Sequence, residues 1–175
     1  MNETLRVLRE RRSIRRYQSG QIKPEELDAI LDAGTWAPSG MGLQTAVMVA
    51  VQDPETIAYM SRLNAQIQGK PGTDPFYGAP TVVTLFAPKN FLFAAEDCAA
   101  AAENMMLAAD ALGIGSCYIG QGWTAFADPF GQETLQSWGI PATHYAVMQL
   151  LLGYPRQGGA HPAPKPRKAG RVLRF

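Results

Sequence analysis

The sequence predicts an α/β or α+β domain of two or three layers, and three observations lead there. Four short apolar runs have the composition of buried strands, stretches of helical length lie between them, and 175 residues suffice for one substantial core. The chain reads as a single domain over residues 1–175. With 46% hydrophobic and 18% charged residues, it is too apolar for disorder and too often interrupted for a membrane span.

Residues 3–12 set Leu5 and Leu8 on one face among charges, which predicts a short amphipathic helix. "KPEELDAILDAG" predicts the next, with Pro24 in the first turn, Glu25 and Glu26 at the positive end of the dipole, Leu27, Ile30 and Leu31 at helical spacing, and Gly34 as the stop. After the small-residue loop "TWAPSGMGLQT", the run "AVMVAVQ" predicts a strand covered on both faces. Residues 54–67 form a weaker helical pattern, and "QGKPGTDPFYGAP" is a surface loop. "TVVTLFA" predicts the second strand. The segment 91–112 is the longest helical stretch, where Ala99 to Ala102 admit a neighbouring helix and Met105, Met106 and Leu107 fill the core. "GSCYIG" predicts a third strand, 129–138 a polar helix, and "YAVMQLLLGYP" a fourth strand stopped by Gly153 and Pro155. Pro162, Pro164 and Pro166 make the tail an extended arm, whose last residues, "RVLRF", are able to add a strand.

Near-neutrality conceals an uneven charge. Of the 16 Lys and Arg, seven lie in residues 1–23 and six in 156–174, around a middle with three bases and 13 acids. Four of the seven, Arg11, Arg12, Arg15 and Arg16, fall within "ERRSIRRY". Such a cluster is either solvated or meets an anion. If the fold joins the two basic ends they make one strong anion site; if not, they are solvated tails or nucleic-acid patches. Cys98 and Cys117 are too few for a disulfide scaffold. With no signal-peptide pattern at the start, both are expected to be reduced, buried thiols of a cytoplasmic protein.

The motifs of self-sufficient catalysis are missing from the sequence. His144 and His161 are its two histidines, and it has no H-E-x-x-H, C-x-x-C or DxDxDG pattern, so no protein-bound metal is expected. Ser39 lacks the strand-to-helix elbow of a serine nucleophile. "GIGSCYIG" leaves a helix and enters a strand, the reverse of the polarity that sets a pyrophosphate on a helix N-terminus. A large core, glycine-rich loops and an arginine cluster without an acid/base set suit a protein whose bound cofactor does the chemistry.

The ordered segments "RRSIRRY", "APSGMGLQ", "GAPTVVTLFA", "ENMMLAADALGIGSCYIG", "LLLGYP" and "KPRK" resemble the FMN-dependent nitroreductase family over nearly the whole chain. The resemblance implies an α+β fold, a three-layer α/β/α sandwich with a mostly antiparallel central sheet and a C-terminal arm able to add a strand to the partner subunit. It implies a homodimer with FMN at the interface, NADPH or NADH as electron donor and a small-molecule oxidised acceptor, with neither nucleic acid nor a membrane as partner. Arg11, Arg12, Ser13 and Arg15 match the residues that contact the FMN phosphate, ribityl chain and pyrimidine edge. Pro38, Ser39 and Gly40 match the loop that the opposite subunit lays against the isoalloxazine, and Gln44 the family's glutamine. Asn64 matches an asparagine on the flavin's polar edge. Ile119, Gly120 and Gln121 match the segment whose backbone N–H faces flavin N5, and Lys165 and Arg167 the basic pair that closes on the phosphate. The residues that follow Ser39 depart from the family's Asn-x-Gln-Pro-Trp, with Gly42, Leu43, Gln44, Thr45 and Ala46 in that stretch. The connection between 62 and 80 is short, which implies a reduced cover over the acceptor pocket. Trp36, Tyr118 and Trp123 are aromatics that suit either the flavin pocket or core and dimer contacts.

The expected activity is hydride transfer from NAD(P)H through flavin N5 to an acceptor such as a nitroaromatic or quinone, with ping-pong kinetics and no catalytic side chain of the protein's own. Two alternatives stay open at this level: a non-catalytic flavin sensor or store, and a nucleic-acid binder that uses its basic ends.

Overall fold

The computed structural model describes residues 2–120, 126, 128–156 and 163–175. Among these, helices and strands alternate along most of the chain: α1 (Glu3–Glu10), α2 (Pro24–Thr35), β1 (Val47–Val51), α3 (Pro54–Ile67), β2 (Thr81–Pro88), α4 (Ala94–Ala111), β3 (Gly115–Ile119), α5 (Pro129–Ser137) and β4 (His144–Gly153). One 3-10 turn, Gly40–Gly42, precedes β1.

The four strands form one sheet in the order β1-β2-β4-β3, and every neighbouring pair is antiparallel. β2 and β4 lie inside, and their side chains are buried nearly throughout. α2 and α4 cover one face, where Ile30, Val83, Leu85, Cys98, Met105 and Leu150 form the core. The opposite face carries Met60 of α3, Phe76, Val82, Phe86, Ile140 and Leu151, with Leu135 of α5 packed against them. The result is the expected α/β/α sandwich around an antiparallel sheet. No helix among the described residues is long and apolar enough to cross a membrane.

Local chemistry explains the helix starts. Asp53 and Asp128 each accept a backbone N–H from the first turn of α3 and α5, at 2.8 Å from Thr56 N and Gly131 N, and each is followed by proline at the first helical position.

Several expectations change. Gly34 does not stop α2, which runs on to Thr35; it is buried inside the helix, where a Cβ would lie 2.7 Å from Met48 Sδ and 2.9 Å from Met105 Cγ. Close approach to α4 and β1, not a left-handed cap, is its reason. α1 turns Val7 inward and leaves Leu5 and Leu8 half exposed. β1 is an edge strand that is only partly covered, because it has one sheet neighbour and its outer end opens to solvent at Val47. In α4, Ala101 and Ala102 are buried whereas Ala99 faces outward. "RVLRF" adds no strand within this chain; Val172, Leu173 and Phe175 are exposed.

Candidate functional site

The segment after α1 is extended and stitched to the sheet. Ser13 bridges Ser116 of β3, Ile14 N donates to Ser116 O at 2.8 Å, and Tyr17 bridges Pro155 just beyond β4. Ile14 and Tyr17 point inward, and the Tyr17 hydroxyl donates to Ile14 O at 2.7 Å. The positions between them face outward, so burying two residues of this segment presents its polar ones.

The arginines then separate. Arg12 turns back on α1 and donates Nη1 to the carbonyls of Arg9 and Arg11, both at 2.7 Å, which satisfies carbonyls at the negative end of the helix. Arg11 holds its Nη1 buried and without a hydrogen-bond partner. Arg15 is exposed, with its guanidinium 5.9 Å from the centre of the Tyr77 ring. Arg16 is exposed, and both salt bridges among the described residues belong to Arg6. The Cys117 thiol reports the same neighbourhood from below: burial pushes it up, and Arg15, a hydrogen bond with Ser13, and Arg11 pull it down. Ser116 Oγ is also buried without a partner. Arg11, Ser13 and Arg15 thus gather over β3, around two unpaired polar atoms.

A second group lies before β1. Ser39 Oγ accepts from Gln44 N at 3.0 Å, and Met41, Gly42 and Gln44 all have positive φ. Two of the three carry side chains that such a backbone disfavours. The loop is held from beneath by Asp97, a buried carboxylate in the first turn of α4. Gly40 N donates to Asp97 Oδ1 at 2.7 Å, and Thr45 Oγ1 to Oδ2 at 3.2 Å. Gly40 lies so close to Phe93 that a Cβ would come within 2.5 Å of its ring. Pro38 and Gln44 remain exposed, whereas Ser39 and Gly40 are half-buried.

The remaining positions are scattered. Ile119 is half-buried and Gly120 exposed at the end of β3; Gln121 and Trp123 lie outside the described residues. Lys165 and Arg167 are exposed on the C-terminal segment, where Arg167 donates to the Lys165 carbonyl at 2.8 Å. Trp36 and Tyr118 are also exposed. Asn64 has no exposed surface: its Nδ2 donates to Gln149 Oε1 at 2.8 Å in the core beneath the sheet. Its Oδ1 is buried without a hydrogen-bond partner, as Arg11 Nη1 is. Reasoning from sequence overlooked Asp97 and Tyr77. A lone acid on the inner face of an alanine-rich helix was the available signal for the first, and a Tyr-Gly pair within a turn for the second.

The two groups sit at opposite sheet edges. Arg11, Ser13 and Arg15 lie along β3, the Ser39–Gln44 loop leads into β1, and three strand spacings, about 14 Å, separate those edges.

Comparison with known proteins resolves the family. The nitroreductase family model matches residues 8–154. The chain belongs to the nitroreductase family. A solved nitroreductase with bound FMN from Bacteroides fragilis is 36% identical, with a TM-score of 0.90 and complete coverage of both chains. An FMN-bound nitroreductase from Desulfitobacterium hafniense is 27% identical, with a TM-score of 0.86 over 100% of this chain and 99% of that one. An FMN reductase [NAD(P)H] of Bacillus subtilis is 27% identical over 97% of this chain and 72% of its own length. As a member of the nitroreductase family the chain is an oxidoreductase, and the sandwich described above is the nitroreductase fold.

Proposed function

We propose that two copies of the chain form a homodimer with FMN at each of two shared sites, working as an NAD(P)H-dependent flavin oxidoreductase. Arg11, Ser13 and Arg15 of one copy would hold the phosphate and its neighbourhood, joined by Lys165 and Arg167. Pro38, Ser39, Gly40 and Gln44 of the second copy would lie against the ring system. The placement of these groups at opposite sheet edges supports the pairing, because each edge is then free to face the complementary edge of a second copy.

The observation that carries the reading is Arg11 Nη1. A buried guanidinium nitrogen with no partner leaves an unmet donor in the site, and a phosphate oxygen is the acceptor that best satisfies it. FMN, when bound, supplies hydride chemistry at N5 between NAD(P)H and an oxidised acceptor such as a nitroaromatic or quinone, taken in turn by ping-pong exchange. The chain's part is to grip, orient and shape. Its arginines neutralise the phosphate, and the Asp97-anchored loop offers a fixed wall. The segment Ile119–Gly120 at the end of β3 would supply a backbone N–H to a developing negative charge.

The purified protein is expected to be yellow and to release FMN on denaturation. Arg11→Ala should loosen FMN by about 1.5 to 3 kcal/mol, roughly ten- to 150-fold, read by flavin fluorescence on titration. Wild-type affinity in that variant, or a colourless protein that binds no FMN, overturns the reading.

A further inference from the structure

Residues 74–79 form a turn that is unusual for the residue at its tip. Ala79 N donates to Phe76 O at 3.0 Å across Tyr77 and Gly78, whose φ values are +55° and +70°. Positive φ at both central positions marks a type I′ turn, where asparagine or aspartate before glycine is the favoured pair. A bulky aromatic is an outlier there, because its Cβ crowds the backbone in the left-handed region. The turn tolerates it because Asp74 holds the backbone from inside. Asp74 Oδ1 accepts Phe76 N at 2.9 Å and Ser61 Oγ at 2.6 Å, and Oδ2 accepts Gly78 N at 2.6 Å. Phe76 is driven into the core and Tyr77 outward, to 40% exposure.

What the tyrosine gains by standing there is Arg15, whose guanidinium carbon lies 5.9 Å from its ring centre, within cation–π range. Arg15 is exposed on an extended segment and lacks a carboxylate among the two salt bridges of the described residues. Left alone, its side chain would sample many rotamers, all of which must be given up when it grips an anion. A ring fixed in place by a stapled turn restricts that freedom beforehand.

We propose that Tyr77, held in its left-handed conformation by Asp74, is a positioning residue that pre-sets Arg15 for the cofactor. This rests on the cofactor reading of Arg15 given above. The turn is strained locally, and the return is tighter ligand binding through preorganisation.

FMN affinity measured by fluorescence titration, with thermal melting of the apo-protein alongside, tests it. Tyr77→Leu, which keeps bulk but removes the ring, should weaken FMN about two- to five-fold, the size of an exposed cation–π contact. Tyr77→Phe should restore wild-type affinity. Tyr77→Asn, which suits the turn, should weaken FMN equally while raising the melting temperature, an opposition that a purely structural role would not produce. In an Arg15→Ala background, Tyr77→Leu should have no further effect. Loss of affinity in Arg15→Ala with none in Tyr77→Leu overturns the proposal alone; additive losses do the same. Unchanged affinity in Arg15→Ala overturns the cofactor role of Arg15 and the proposal with it.

Discussion

Cys98 sits on the inner face of α4 with no exposed surface, and burial, aided by the charge of Asp97, pushes its thiol up to about 12. An unfolded thiol ionises near 8.5, so the folded chain holds this proton where the unfolded chain has lost it. The stability gained is fully present below about pH 8.5 and is lost as pH rises toward 12. Cys117 shifts in the same direction. Neither thiol should therefore react with Ellman's reagent in the native protein at neutral pH. Urea midpoints should fall above about pH 9, and fall less steeply in Cys98→Ala. The burial of both cysteines was expected from the sequence, where two thiols without a disulfide framework read as reduced core residues. The division of labour among the arginines was not: Arg11, Arg12 and Arg15 are one residue type in one short stretch. Their roles come from a helix end, an unpaired burial and a ring at position 77, which are properties of the folded surroundings.

At the level of elements, α4 does more than cover the sheet. Its first turn carries Asp97, whose two oxygens tie both ends of the Gly40–Thr45 loop and keep Met41, Gly42 and Gln44, all at positive φ, from relaxing. Asp97→Asn keeps the size but removes one of the two acceptor oxygens. Exchange of the Gly40 amide with deuterium should then speed up roughly tenfold, for about 1.4 kcal/mol of lost hydrogen bonding, with far-UV circular dichroism unchanged. A Gly40 amide as protected as in the wild type would show that the loop stands without this anchor. Helix α3 was readable at both ends, since Asp53 and Pro54 announce its start and the glycine-rich loop its finish. Gly34 misled because glycine near a helix end signals a cap only when the backbone turns left-handed, and the contact that requires glycine here is with methionines 14 and 71 residues downstream.

For the whole molecule, alternating strands and helices announced layers. Periodicity says nothing, however, about strand order, which depends on how α4 carries the chain from β2 past β4's place to the far edge. That order is what sets Ser13 and Ser39 at opposite margins, and it has a genetic consequence. Consider two alleles that each fail to hold flavin, one with Arg11→Ala and Arg15→Ala, the other with Gly40→Val, which forces a Cβ onto Phe93. Co-expressed in equal amounts, they would assemble mixed dimers in which one shared site draws both of its halves from unmutated segments. About a quarter of all sites should regain yellow colour, although neither allele yields any by itself. A lack of colour in the mixture would mean that each chain builds its site alone. On the shared-site proposal, two broken copies make a partly working enzyme, an inheritance pattern that follows from a four-stranded sheet whose outermost strands are β1 and β3.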